Sequence, residues 1–102
     1  MEISAQEFHK KIQNKEDLFL LDVRTKEEYE EDNISNTILI PIKVLDTKLN
    51  EIPKNKLIIT ICAHGNRSLR AAQFLNAHGY KALSLEGGME AWNNLIINEA
   101  AS

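Results

Sequence analysis

The sequence LIITICAHGNRSLRAAQFL, residues 57–75, decides the fold because three patterns follow one another in it. The β-branched run Leu57–Ile61 predicts a buried strand. Cys62, the only cysteine of the chain, comes next and is followed by a loop that contains Gly65. Residues 67–78 then have the apolar spacing of an amphipathic helix. A strand, a loop and a helix in this order are typical of α/β domains with a parallel sheet.

The rest of the chain alternates between short apolar runs and longer segments with helical spacing. Strands are predicted at LFLLDV, TILIPI and KALSL, which are residues 18–23, 37–42 and 81–85. Helices are predicted over residues 4–15, 25–31, 43–52 and from 87 onward, where capping patterns, Pro53 or a glycine pair mark their ends. The alternation predicts an α/β domain with a mostly parallel sheet, and a site beyond the carboxyl ends of its strands.

The composition limits the kinds of protein that this chain can be. With 102 residues and 43% hydrophobic content, residues 1–102 are expected to form one domain. The net charge is -3 with both signs interspersed, so no basic stripe is available for nucleic acid. One cysteine forms no intrachain disulfide, and no apolar run reaches the ~20 residues of a membrane span. The start has no secretion-signal pattern, so we expect a soluble, cytoplasmic protein without a membrane partner.

The cysteine loop, residues 62–67, has the features of an anion-holding cup. Four residues separate Cys62 from Arg67, and these are Ala63, His64, Gly65 and Asn66. A tight curl at Gly65 turns backbone N–H groups inward, and the start of the following helix adds partial positive charge, so a thiolate is favoured over a thiol. Arg67 and Arg70 are expected to add full charges, and Ser68 can hydrogen-bond the sulfur or cap the helix.

Each of these residues also has a plain structural interpretation. Cys62 could be a buried core thiol, although the loop, the helix start and the arginine favour a nucleophile. Arg67 could be a solvated helix residue, although its place at the end of the loop favours anion binding or bracing. For His64, proton transfer and simple exposure are both left open. Asp22 and Arg24, at a strand end, could be catalytic, but the acidic residues that follow Arg24 could pair with it and favour a structural brace.

The remaining notable residues are interpreted structurally. His9 and His78 lie on predicted helices, and no Cys/His spacing matches a zinc site, so no metal is expected. Met89 and Trp92 are predicted to be core residues of the last helix, although the glycine pair before them could let backbone approach the edge of the site. The acidic run EEYEED, residues 27–32, is interpreted as a solvated face.

The run CAHGNRSLRAAQFLNAHGYKALSLEGGMEAW, residues 62–92, resembles the active-site half of rhodanese-like sulfurtransferases. That family has Cys-x-x-Gly-x-Arg-Ser, then paired alanines, a glycine-aromatic turn, and Gly-Gly with a tryptophan downstream. The stretch LLDVRTKEEYEEDNIS, residues 20–35, resembles the family's Asp-Val-Arg segment more loosely. Members commonly have Gly-His-Ile and Gly-Ala where this chain has Asp32-Asn33-Ile34 and Asn36-Thr37, so we expect the loop before TILIP to differ in shape.

The resemblance implies a rhodanese-like fold with a central five-stranded parallel sheet and helices on both faces. It also implies that Cys62 carries a sulfane sulfur as a covalent persulfide, with no separate cofactor, and that residues 63–68 bind the substrate. The sulfur donor would be a small anion such as thiosulfate, or another persulfide. The acceptor would be cyanide or a thiol, including a protein thiol.

Two other functions are open alternatives. Cysteine-dependent phosphatases and arsenate reductases of related fold resemble Cys-x5-Arg, and the spacing here is one residue shorter, which favours sulfur over a tetrahedral oxyanion. A non-catalytic binding or regulatory module is the second alternative. The presence of Cys62, Gly65 and Arg67 disfavours it.

Overall fold

The central sheet of the computed structural model, which describes residues 1–101, has five parallel strands. In chain order they are β1 Glu2–Ile3, β2 Leu18–Asp22, β3 Thr37–Leu39, β4 Leu57–Ile61 and β5 Lys81–Leu85. Their order across the sheet is β1-β5-β4-β2-β3. The predicted α/β fold with a parallel sheet is confirmed. Because β4 is the middle strand, the residue that follows it lies at the centre of the carboxyl edge.

Helices cover both faces of the sheet, as predicted. They are α1 Ala5–Gln13, α2 Lys26–Glu31, α3 Asn66–Ala77 and α4 Gly88–Ala101. Successive residues of a strand point to opposite faces, and the neighbours Ile58 and Ile59 of β4 accordingly belong to two separate apolar clusters. The first cluster includes Leu75 of α3, and the second includes Phe8 of α1 and Met89 of α4. The middle strand is therefore buried from both sides.

The first strand and the end of the first helix differ from the sequence prediction. β1 was not predicted, because two residues are too few for a period of two to be recognised. It pairs with β5, and Ser84 N–H donates to the Met1 carbonyl at 2.9 Å. Helix α1 ends at Gln13 instead of Lys15, since Lys15 takes a left-handed conformation with φ of 56°. These two corrections leave the position of β4 unchanged.

The helix predicted over residues 43–52 is wrong in type. The chain forms two 3-10 helices there, Ile42–Thr47 and Leu49–Glu51, with Lys48 between them at φ of -123°. The spacing did not distinguish the two kinds of helix, because an apolar spacing of three fits a 3-10 helix and the spacing of four, from Leu45 to Leu49, spans the break at Lys48. Leu45 and Ile52 are buried as the pattern requires, whereas Val44 is exposed.

The helices have limited length and apolar content. Within residues 1–101, none of them could cross a lipid bilayer.

Candidate active site

Cys62 occupies the residue after β4 and is 1% exposed. On the neighbouring strands, Asp22 of β2 is the register partner of Ile61, and Ser84 of β5 is the partner of Thr60. The ends of three strands therefore meet around the thiol. This is the position at which ligands bind in parallel α/β sheets.

The cysteine loop curls around the sulfur. Gly65 has φ of 104°, a left-handed conformation that favours glycine, and the loop then enters α3 at Asn66. The Gly65 N–H donates to Cys62 Sγ at 3.1 Å, and the Ser68 N–H donates to it at 3.3 Å. The sulfur therefore lies in a nest of backbone donors at the start of a helix.

The ionisation of Cys62 depends on two opposing effects. Burial raises the pKa of its thiol, because a charge is less well solvated inside the protein. Hydrogen bonds from the Ser68 hydroxyl and from the backbone N–H groups of Ser68, Gly65 and His64 lower it. The hydrogen bonds prevail, and the pKa lies below the ordinary value of a thiol. The arrangement therefore favours a nucleophilic thiolate.

A pair of buried serine hydroxyls lies behind the sulfur. Ser68 Oγ is 3.3 Å from Cys62 Sγ, and Ser84 Oγ is 2.7 Å from Ser68 Oγ. Both serines are fully buried. The sequence alone does not distinguish Ser84, since one serine in a strand gives no signal of its own.

Arg67 binds a carboxylate, so its contact is that of the bracing interpretation, and its full charge is not open to the site as the sequence suggested. Its Nη1 is 2.7 Å from Glu28 Oε1, and its Nη2 is 2.8 Å from Glu28 Oε2. The hydrogen bonding of Arg67 to the Glu28 carboxylate, in which Arg67 is the donor, is the main cause that raises the pKa of Arg67. This bidentate pair ties the end of the cysteine loop to α2, and it compensates the guanidinium charge.

Arg70 does not join the sulfur site in the described part of the chain. Its side chain is exposed and lines a cavity of about 160 Å³ together with Asp46 and Phe74. Within residues 1–101, no hydrogen bond or ion pair links it to Cys62. The expectation that Arg70 adds its charge directly at the thiol is therefore not met.

Asp22 and Arg24 form a buried ion pair beside the loop. Asp22 is 0% exposed and Arg24 is 3% exposed. Arg24 Nη2 donates to Asp22 Oδ2 at 2.8 Å and to the Asp32 carbonyl at 2.7 Å, and Nη1 donates to the Glu28 carbonyl at 3.3 Å. Burial lowers the pKa of Arg24, but Asp22 and Asp32 raise it by more, so the guanidinium stays charged. The pair holds the end of α2 against β2.

The side chains of His64 and Asn66, in the cysteine loop, are exposed. The imidazole of His64 is 70% exposed, and its Nδ1 is 3.0 Å from Glu90 Oε2. Asn66 is exposed, and Ala63 is half-buried. The Ala63 carbonyl accepts a hydrogen bond from the Glu90 N–H at 3.2 Å.

The glycine pair brings the start of α4 against the cysteine loop. The Met89 N–H donates to the Cys62 carbonyl at 2.8 Å. A Cβ atom on Gly88 would collide with that carbonyl oxygen, and one on Gly65 would lie 3.1 Å from Gly87 N. The backbone at the start of α4 therefore lies close to the backbone of the cysteine loop, as these glycines permit. Met89 is a core residue as well, with 5% exposure.

The acidic run at residues 27–32 is only partly a solvated face. Glu28 accepts the bidentate bond of Arg67, and Asp32 Oδ1 lies 3.5 Å from Arg24 Nη1. Further along, Asn36 has φ of 66°, which asparagine tolerates better than most residues other than glycine. Asn36 therefore takes a left-handed conformation at the position where the rhodanese-like pattern has glycine.

A cavity that Arg67 lines, at the end of the cysteine loop, has a volume of about 140 Å³. Its lining residues are Val23, Arg24, Thr25, Pro41, Ile42, Lys43 and Arg67.

No group of three or more potential metal ligands occurs in residues 1–101. His9 is 3.3 Å from Glu99, and His78 Nδ1 is 2.8 Å from the Phe74 carbonyl.

The pair between Glu28 and Arg67 predicts a pH dependence of stability. Arg67 is the main cause that lowers the pKa of Glu28 from 4.5 to about 2. A depressed pKa means that the stabilisation is complete above pH 4.5 and is lost as the pH falls toward 2. Because Glu28 is 32% exposed, we expect a contribution of about 1 kcal/mol.

Urea unfolding of the wild type and Glu28→Gln at several pH values measures this contribution. The difference between the two proteins should be constant above pH 4.5 and vanish near pH 2. Glu30→Gln, an exposed change on the same helix, is the matched control and should show no such difference. A difference for Glu28→Gln that is independent of pH would contradict the assignment.

A model of one protein family matches nearly the whole chain. It is described as the rhodanese-like domain, and it matches residues 4–95. The chain belongs to this family. The rhodanese-like match includes the Asp22–Arg24 brace, the cysteine loop and the start of α4.

Known relatives extend over most of the chain. A sulfurtransferase of Allochromatium vinosum is 32% identical over 92 residues, which are 89% of this chain and 86% of the relative. The thiosulfate sulfurtransferase GlpE of Coxiella burnetii is 35% identical over 79 residues, which are 76% of this chain and 74% of GlpE. The crystal structure of a rhodanese-like domain protein from Staphylococcus aureus has a TM-score of 0.85 at 36% identity, covering 90% of this chain and 91% of that one. The family is thus one of rhodanese-type sulfurtransferases.

Proposed function

We propose that this protein transfers sulfane sulfur through a persulfide on Cys62. The observation that carries the proposal is the cysteine loop, whose Gly65 and Ser68 N–H groups donate to Sγ at 3.1 and 3.3 Å. The lowered pKa of Cys62 provides a nucleophile without a separate general base. Relatives named as sulfurtransferases support the same chemistry.

The first half-reaction loads the cysteine. The Cys62 thiolate attacks the outer sulfur of thiosulfate, an S–S bond forms to Sγ, and the S–S bond of the donor breaks. Sulfite leaves with the electron pair of that bond, so the enzyme becomes a persulfide anion and no proton is needed. The N–H groups of the loop stabilise the negative charge on the sulfur. We propose thiosulfate as the donor because one relative is named a thiosulfate sulfurtransferase. A persulfide donor would react in the same way.

The second half-reaction unloads the cysteine. An acceptor thiolate or cyanide attacks the outer sulfur of the persulfide, and the bond to Sγ breaks. Cys62 leaves as the thiolate, and the acceptor becomes a persulfide or thiocyanate. A low pKa of Cys62 assists this step too, because a thiol of lower pKa is a better leaving group.

Intact-mass measurement tests the proposal directly. The reduced protein is incubated with thiosulfate, desalted and weighed, and we expect a mass increase of one sulfur atom that cyanide then removes. Absence of the added sulfur with thiosulfate and with a small-molecule persulfide would contradict the proposal. Cys62-dependent hydrolysis of an aryl phosphate would favour the phosphatase alternative instead. A thiol that is unreactive toward alkylation across the pH range would favour a binding module.

A further inference from the structure

Ser84 is a buried polar residue whose hydroxyl contacts a residue of the cysteine site. Its hydroxyl lies 2.7 Å from Ser68 Oγ, and within residues 1–101 this is its one side-chain hydrogen bond. Ser68 Oγ is in turn 3.3 Å from Cys62 Sγ, so hydrogen-bond contacts connect Ser84 of β5 to the sulfur through Ser68. All three residues are at most 1% exposed. Water is therefore excluded from these three groups, and they must act as hydrogen-bond partners for one another.

The number of protons that the side chains of Cys62, Ser68 and Ser84 share changes when Cys62 ionises. The Ser68 hydroxyl has a single proton and three neighbours: the sulfur, the Gly65 carbonyl at 3.2 Å, and Ser84 Oγ. When Cys62 is a thiol, its own proton is donated to Ser68 Oγ, and Ser68 can donate to the Gly65 carbonyl. A thiolate has no proton to donate, so the Ser68 proton must turn to the sulfur. The Ser68 oxygen then accepts a hydrogen bond from Ser84.

We propose that Ser84 is a positioning residue for Cys62: its hydroxyl donates to Ser68 Oγ and thereby directs the Ser68 proton to the anionic sulfur. The inference rests on the proposed sulfurtransferase function, in which Cys62 is anionic both as the attacking and as the leaving group. Ser84 does not touch the substrate. It acts through Ser68, and its hydrogen bond strengthens that of Ser68 because linked hydrogen bonds polarise each other.

Thr60 provides a matched comparison on the adjacent strand. It is the register partner of Ser84 and is equally buried. Its Oγ1 donates to the Ser68 carbonyl at 2.7 Å, a group that does not bond to the sulfur. Removal of either hydroxyl costs a buried hydrogen bond to Ser68. Only removal of the Ser84 hydroxyl changes the group that donates to the thiolate.

The test is the rate of Cys62 alkylation by iodoacetamide as a function of pH. We expect Ser84→Ala to raise the apparent pKa of Cys62 by about 0.5–1 unit, and alkylation well below that pKa to slow by about 3–10-fold. Thr60→Val should lower stability without moving the titration. Ser84→Thr keeps the hydroxyl and should titrate like the wild type.

A double-variant comparison separates a path through Ser68 from a general loss of packing. In a Ser68→Ala background, Ser84→Ala should cause no further shift. The proposal is overturned if Ser84→Ala titrates like the wild type, if its shift persists in that background, or if Thr60→Val shifts the titration equally. Intact mass is measured in parallel. If the titration shifts as expected but the wild type retains no sulfur, the sulfurtransferase function fails and the role of Ser84 stands.

Discussion

Replacement of Cys62 by serine is expected to reduce sulfur transfer from thiosulfate by about 1,000-fold or more. A serine hydroxyl is not ionised at neutral pH, and it cannot form a persulfide. The buried position should tolerate the change, because the new oxygen can still accept from the N–H groups of Gly65 and Ser68 that now contact Sγ. Thiocyanate formation from thiosulfate and cyanide measures the loss, and circular dichroism verifies the fold.

A second thiol elsewhere provides the control for this variant. Ser35 is exposed and outside the cysteine loop, so Ser35→Cys in the Cys62→Ser background restores a thiol without the surrounding N–H donors. We expect this double variant to stay as inactive as the single one. Substantial activity in either protein would show that sulfur is not carried on Cys62 within its loop.

Replacement of Asp22 by alanine is expected to lower the free energy of unfolding by about 3–5 kcal/mol. The change leaves the guanidinium of Arg24 buried at 3% exposure with its main counter-charge removed. Domains of this size usually have only about 5–15 kcal/mol of total stability, so a large part of it would be lost. Urea unfolding at neutral pH gives the value.

Asp17 provides the comparison for this prediction. It lies just before the same strand, and its Oδ1 is 3.2 Å from Lys56 Nζ, but its side chain is 78% exposed. Asp17→Ala should therefore cost at most about 1 kcal/mol. Similar costs for the two variants would mean that burial of the Asp22–Arg24 pair has no special effect on stability.

The part of the fold around Cys62 could be predicted because its signals are local. The apolar run of β4, the glycine of the loop and the periodicity of α3 lie within about twenty consecutive residues. The loop length also follows from counting residues. β1 and the 3-10 helices could not be predicted in the same way, because two residues show no period and the break at Lys48 between two short helices leaves an apolar spacing that resembles one α-helix.

The side-chain partners in the site depend on contacts between distant parts of the chain. Glu28 and Arg67 are 39 residues apart, and an acidic run on a helix gives no sign that one carboxylate binds an arginine of another element. The sequence therefore left anion binding and bracing open for Arg67, and the fold contains a brace whose charge is compensated. Ser84 is a similar case, since its contact with Ser68 depends on the register that sets β5 beside β4.

The hydrogen bonds from Met89 and Glu90 to the Cys62 and Ala63 carbonyls have a consequence for cooperativity. The first turn of a helix has N–H groups without partners inside the helix, and here the cysteine loop acts as the N-terminal cap of α4. Fraying of that helix end would free the two carbonyls and loosen the loop around the sulfur. Local opening at the start of the last helix and at the thiol is therefore coupled, so a change that frays the start of α4 also loosens the reactive loop.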